Sequence, residues 1–236
     1  MTTSRYEGPT VSPARLQALA DGVFAIVMTL LVFDLSVPTV EAAQDSAGLG
    51  PALRDMWQDF LGYVLSFLVL GVFWLIHHML FDSIRRYDTT LIWLNVTFLM
   101  FAAFIPFSTA LFGTHGATTL TAIVYGLNML VLFDMGWAIW SYAAGNHRLV
   151  DSDVGEDLVR GGKAMGRIYS LVMLVPILMA LAFPVVSFVL YATVVVTFIA
   201  ATLLGRWEMV TVWPSSRRQH ADTVAPDQPM GSGVER

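Results

Sequence analysis

Arg15-Leu-Gln-Ala-Leu-Ala-Asp21-Gly-Val-Phe-Ala-Ile26-Val-Met-Thr29-Leu-Leu-Val-Phe33-Asp-Leu-Ser-Val37 is long and apolar enough to cross a hydrocarbon core of about 30 Å as one helix. Pro38 stops it. At about 100° per residue, Arg15, Ala18, Gly22, Ile26, Thr29, Phe33 and Ser36 fall within an arc of roughly 80°, while Ala20, Phe24, Val27, Leu31 and Leu35 occupy the other side. One face is small, polar and interrupted; the other is uniformly apolar. Small residues such as Gly22 let membrane helices approach closely. The same face also suits a pore wall, with Ile26 and Phe33 excluding water and Thr29 offering hydroxyls to a partly dehydrated cation. Both readings are compatible with this composition.

Working outward, the whole chain has the same solvent preference. Of its 236 residues 56% are hydrophobic and only 13% charged, with a mean hydropathy of +0.65, where a soluble domain carries about a quarter charged residues. The apolar runs show no alternation of period two, which argues against a membrane barrel. There is no cysteine, so disulfides and thiolate chemistry are excluded. Asp21 and Asp34 within the first run, and the lack of a basic stretch leading to a small-residue cleavage site, mark it as a mature helix rather than a cleaved signal.

The expected architecture is an all-α integral membrane protein with six transmembrane helices per subunit, at about 14–37, 52–81, 89–112, 118–142, 164–183 and 185–207. Residues 1–13 read as a flexible start, 39–50 as a loop, 145–163 as a long polar connection and 213–236 as a disordered cytoplasmic tail. The last two helices meet at a tight turn around Pro184. On this map twelve of the 13 basic residues lie on one side: Arg5, Arg15, Arg85, Arg86, Arg148, Arg160, Lys163, Arg167, Arg206, Arg217, Arg218 and Arg236. Only Arg54 lies on the other. The asymmetry predicts that both termini are cytoplasmic, which requires an even number of crossings.

Charged and polar groups inside the spans are costly and so informative. Arg15, Asp21, His77, His78 and Asn95 share roughly one depth near the cytoplasmic side of helices 1, 2 and 3, and are expected to form a polar network there. Its plainest role is interhelical hydrogen bonding, with a gating or pH response through histidine as the sharper one. His77 and His78 point about 100° apart, against a shared metal ion, and no metal or cofactor is expected. Asp134 sits mid-helix in the fourth span. An alternative reading is a secondary transporter of a small or proton-coupled solute using intramembrane Asp and His residues; it predicts inverted repeats and broken helices, neither of which the sequence displays.

Arg15 and Asp21 followed by Gly22-Val-Phe-Ala-Ile26-Val-Met-Thr29 resemble the first-helix signature of the transmembrane protein 175 family of potassium channels, with Leu19 and Ala20 in place of its Phe and Ser. The resemblance continues through Trp74-Leu-Ile-His77-His78, through Tyr87-Asp88 to Leu94-Asn95, and in Phe104-Ile-Pro106-Phe107-Ser-Thr109, covering roughly the first 115 residues. It implies a homotetrameric, potassium-selective leak channel of the prokaryotic type in a bacterial plasma membrane, with helix 1 lining a central pore. It further implies a hydrophobic constriction at Ile26, further apolar layers at Leu30 and Phe33, and a contribution to selectivity from Thr29. The partners implied are K+ ions, the lipid bilayer and further copies of the chain, with no nucleic acid and no enzymatic activity.

Overall fold

The computed structural model describes residues 13–35, 37, 46–150 and 154–204. The expected flexible start, the tail after 213 and Ser36 lie outside the described residues, apart from Pro13. Ten helical segments follow in order. They are α1 (Pro13–Leu30) with a 3-10 turn at Leu31–Asp34, α2 (Ser46–Asp55), α3 (Trp57–Ser83), α4 (Thr89–Ala103), α5 (Ile105–His115), α6 (Thr119–Ala143) with a 3-10 turn at Gly145–His147, α7 (Glu156–Met179) and α8 (Pro184–Leu203). Six stretches are long and apolar enough to cross a membrane: Ala14–Asp34, Trp57–Ser83, Thr89–His115, Thr119–Ala143, Val159–Met179 and Pro184–Leu203.

The structure departs from the sequence expectation at three places. Part of the 39–50 loop is helical, because Ser46–Asp55 folds as α2 ahead of the second span. The third span is two helices rather than one: Phe104 interrupts it and Pro106 stands in the first turn of α5. Proline has no N–H to return to the carbonyl of Ala102, so the ladder breaks there. The fifth helix begins at Glu156, several residues earlier than expected, with Glu156 and Asp157 in its first turn, where acidic groups meet the positive end of the helix dipole.

The remaining boundaries follow local chemistry. Asp88 caps α4, its carboxylate accepting from the amide of Leu91 at 2.9 Å. Thr118 and Thr121 form a reciprocal capping box at the start of α6. Pro184 opens α8 at a position where the missing N–H costs nothing.

Packing is dominated by rings and by glycine. Phe24 of α1, Phe81 of α3 and Phe98 of α4 surround the buried His77, whose imidazole stacks on Phe81 with centroids 4.2 Å apart, and Phe73 of α3 meets Phe98 edge-on. Behind them α6 and α7 run antiparallel. Gly162 lies against the indole of Trp140 and Gly166 against that of Trp137, so close that an added Cβ at Gly166 would fall 2.0 Å from the ring. One turn on, Ser170 donates to Asp134. Short side chains on α7 thus admit large ones from α6.

On the basic side, the turn before α4 is tied to the segment after α6. The amides of Arg85 and Arg86 both donate to the carbonyl of Leu149, at 2.9 and 3.1 Å, and Tyr142 donates to Asp88 at 2.6 Å.

Candidate functional site

Helix α1 presents the two faces its periodicity predicts, and the rest of the subunit covers only one of them. Leu16, Ala20, Phe24, Val27 and Leu31 are buried against the bundle, where α1 packs on α3 and α4. On the other side Ile26 is 60% and Phe33 79% exposed, with Leu30 also exposed. Gly22 belongs to that open side: nothing lies within 4 Å of a Cβ built there. Among the described residues, the small-residue face is therefore not a packing seam inside the subunit.

Thr29 is exposed on this face, and its hydroxyl donates to the carbonyl of Ile26 at 2.7 Å. Its proton is directed back into the helix, so the oxygen lone pairs point away from the backbone. That orientation suits coordination of a cation by the hydroxyl oxygen.

The five polar residues expected as one network are arranged as two separate pairings. Asn95 and His77 are buried and hydrogen bonded at 2.7 Å, joining α3 to α4. Asp21 accepts from the indole of Trp74 at 2.8 Å, joining α1 to α3, and His78 stacks on that indole with centroids 5.8 Å apart. Arg15 is exposed at the start of α1 and belongs to neither pairing. Trp74 carries the link between α1 and α3 and was not among the expected members. Its place three residues before His77 puts it near the depth of Asp21, and that was the available signal.

Asp134 is not near these groups. It is held by Ser170 at the α6–α7 seam, so the carboxylates and imidazoles that a transporter reading would gather are dispersed.

A cavity of about 360 Å³ opens at the far end of α1, lined by Asp34, Asp59, Tyr63, Thr109, Ala110, Gly113 and Thr114. Two carboxylates face one space beside the end of the open helix face. A cleft lined by one sign of charge raises the local concentration of counter-ions. Sequence reading used Asp34 only to mark the first run as a mature helix and did not single out Asp59, because the two are 25 residues apart and only the fold brings them together.

Residues 15–106 match the family described as the endosomal/lysosomal potassium channel TMEM175. A potassium channel of Streptomyces collinus is 36% identical over 150 residues, which cover 62% of this chain and 71% of that one. The chain belongs to the TMEM175 family. A potassium channel of Chamaesiphon minutus is 34% identical, over 58% of this chain and 68% of its own length. The crystal structure of a lysosomal potassium-selective channel TMEM175 homologue from Chamaesiphon minutus superposes with a TM-score of 0.71 at 27% identity, covering 80% of this chain and 96% of that one. The family match begins at Arg15 and ends at Pro106. It contains α1, both polar pairings and the break in the third span, while α6, α7 and α8 lie beyond it.

Proposed function

We propose that this chain is a subunit of a homotetrameric, potassium-selective leak channel of a bacterial plasma membrane, with four copies of α1 around a shared axis. The observation that carries the reading is the uncovered face of α1, on which Ile26, Thr29, Leu30 and Phe33 stand with no partner helix among the described residues of their own subunit. The relatives from Streptomyces collinus and Chamaesiphon minutus, both potassium channels, supply the ion. The twelve-to-one division of basic residues supports cytoplasmic termini.

Conduction then needs no catalytic residue and no cofactor. Four Ile26 side chains form the narrowest ring and resist wetting, and Leu30 and Phe33 add apolar layers toward the outer side. Thr29, with its proton donated to Ile26, offers four outward-facing oxygens that replace part of a cation's water shell. Hydroxyls strip less hydration than stacked carbonyl rings, so selectivity is modest. The Asp21–Trp74 and His77–Asn95 pairings brace α1 and α4 against α3 and so hold the pore-lining helix in position. Asp34 and Asp59 gather cations at the outer end.

Reconstitution of the purified chain in planar bilayers tests this. Wild type carries a potassium current, Ile26→Asn raises unitary conductance severalfold by wetting the ring, and Thr29→Val lowers the potassium-to-sodium permeability ratio toward one. Absence of cation current in both wild type and Ile26→Asn refutes the reading.

A further inference from the structure

Helix α7 carries a stripe that conduction along α1 does not use. Arg160, Lys163 and Arg167 recur at helical spacing, and Leu171, Leu174 and Leu178 continue the same side within an arc of roughly 80°. Arg160 is engaged by Asp157 at 2.9 Å and Glu156 at 3.9 Å. Lys163 and Arg167 have no carboxylate partner among the described residues. Both are fastened to one aromatic group instead: the Trp137 indole donates to the backbone carbonyl of Lys163 at 3.1 Å, and the guanidinium of Arg167 lies 5.9 Å from its centroid.

Depth follows from the α6–α7 register. Gly166 meets Trp137, which stands six residues before the last residue of α6. At 1.5 Å per residue, Arg167 lies about 9 Å inside the level where α6 ends, and Lys163 about one turn nearer that level. Both belong to the span Val159–Met179. This is the boundary between headgroups and acyl chains, where a long basic side chain keeps its stem in the apolar layer and lifts its charge to the polar one.

The apolar part of the stripe is open on the subunit surface. α7 packs on α6 and α8, and its span is the least covered of the six, with 11% of its residues buried. Leu171 is 65% and Leu178 64% exposed. Two cations with no carboxylate partner among the described residues, at headgroup depth and followed by an open apolar track, match one kind of molecule: an anion with a hydrocarbon tail.

We infer that Lys163 and Arg167 bind the phosphate of an anionic phospholipid in the leaflet on the basic side, with an acyl chain lying along Leu171, Leu174 and Leu178. Native mass spectrometry of the purified full chain, titrated with phosphatidylglycerol or phosphatidylcholine, reads this without any current. Phosphatidylglycerol binds and phosphatidylcholine does not compete. Lys163→Gln and Arg167→Gln each lower the affinity roughly fivefold, whereas the charge-conserving Arg167→Lys retains it. On wild type alone, raising the salt concentration releases phosphatidylglycerol, a readout that survives any folding defect in the variants. Phosphatidylglycerol affinity in both Gln variants equal to that of wild type, or binding insensitive to salt, overturns the inference. So does displacement by inorganic phosphate as effective as by short-chain phosphatidylglycerol, which would assign a free-anion site.

Discussion

The seam between α6 and α7 and the contact of α1 with α3 and α4 are both helix packings, yet they differ in what they leave uncovered. At the rear, Gly162 and Gly166 receive indole rings, Ser170 meets Asp134, and the two helices fill each other's grooves. At the front, α1 is seated by one apolar face and a single indole-to-carboxylate bond while its other face stays open. The rear seam is complete within one chain. The front leaves one face of α1 uncovered among the described residues, and the family match over 15–106 falls on that side.

The sharpest way to break that contrast is to spoil the rear seam. Gly166→Val places side-chain atoms against the root of the Trp137 indole, where no flexible end can yield. Overpacking of this kind costs about 3 kcal/mol, and a large fall in the melting temperature of the detergent-solubilised protein is expected.

An intermediate effect lies at the clamp on the basic side. Burial works against ionisation of Asp88, but the Tyr142 hydroxyl, the Leu91 amide, the Arg148 guanidinium and the Thr90 amide together outweigh it and hold the carboxyl below the usual carboxylate range. A folded value below the unfolded one, about 3.9, means that the stabilisation is fully present above that pH and is lost as pH falls through the folded value. Asp88→Asn removes about 1 kcal/mol at neutral pH, allowing for screening at this partly exposed site. It also flattens the acid side of a stability-against-pH curve.

The smallest effect sharpens the other side of the contrast. Gly22→Ala adds a methyl group where nothing stands within 4 Å, so the melting temperature holds or rises, by at most about 1 kcal/mol of helix propensity. On the proposed pore arrangement unitary current falls all the same, because the added methyl narrows the path that α1 lines. A stability loss at Gly22 comparable to that at Gly166 would erase the distinction between the two regions.

The two faces of α1 were legible because a period of 3.6 residues is written in the order of residues along a single helix. Ala20, Phe24, Val27 and Leu31 needed no tertiary information to be placed on the covered side. The six crossings were legible for the same reason, since length and hydropathy are local. Pairings across helices were not. Depth alone grouped Arg15, Asp21, His77, His78 and Asn95, but rotation about each helix axis decides which of them touch, and it sends His77 to Asn95 and leaves Asp21 to Trp74. The partner of Asp134 was hidden likewise, because Ser170 lies 36 residues away on a helix whose register is set by glycine contacts. The early start of α7 went unseen because its first turns are polar and carry no apolar run.

The break at Phe104 reaches further than the local backbone. Thr109, Ala110, Gly113 and Thr114 all belong to α5, beyond the break, whereas Asp34 and Asp59 belong to the first and second spans. The direction α5 takes after Phe104 therefore sets four of the seven wall residues together, and with Thr109 fastened to Ser66 of α3 it fixes the gap to both acids at once.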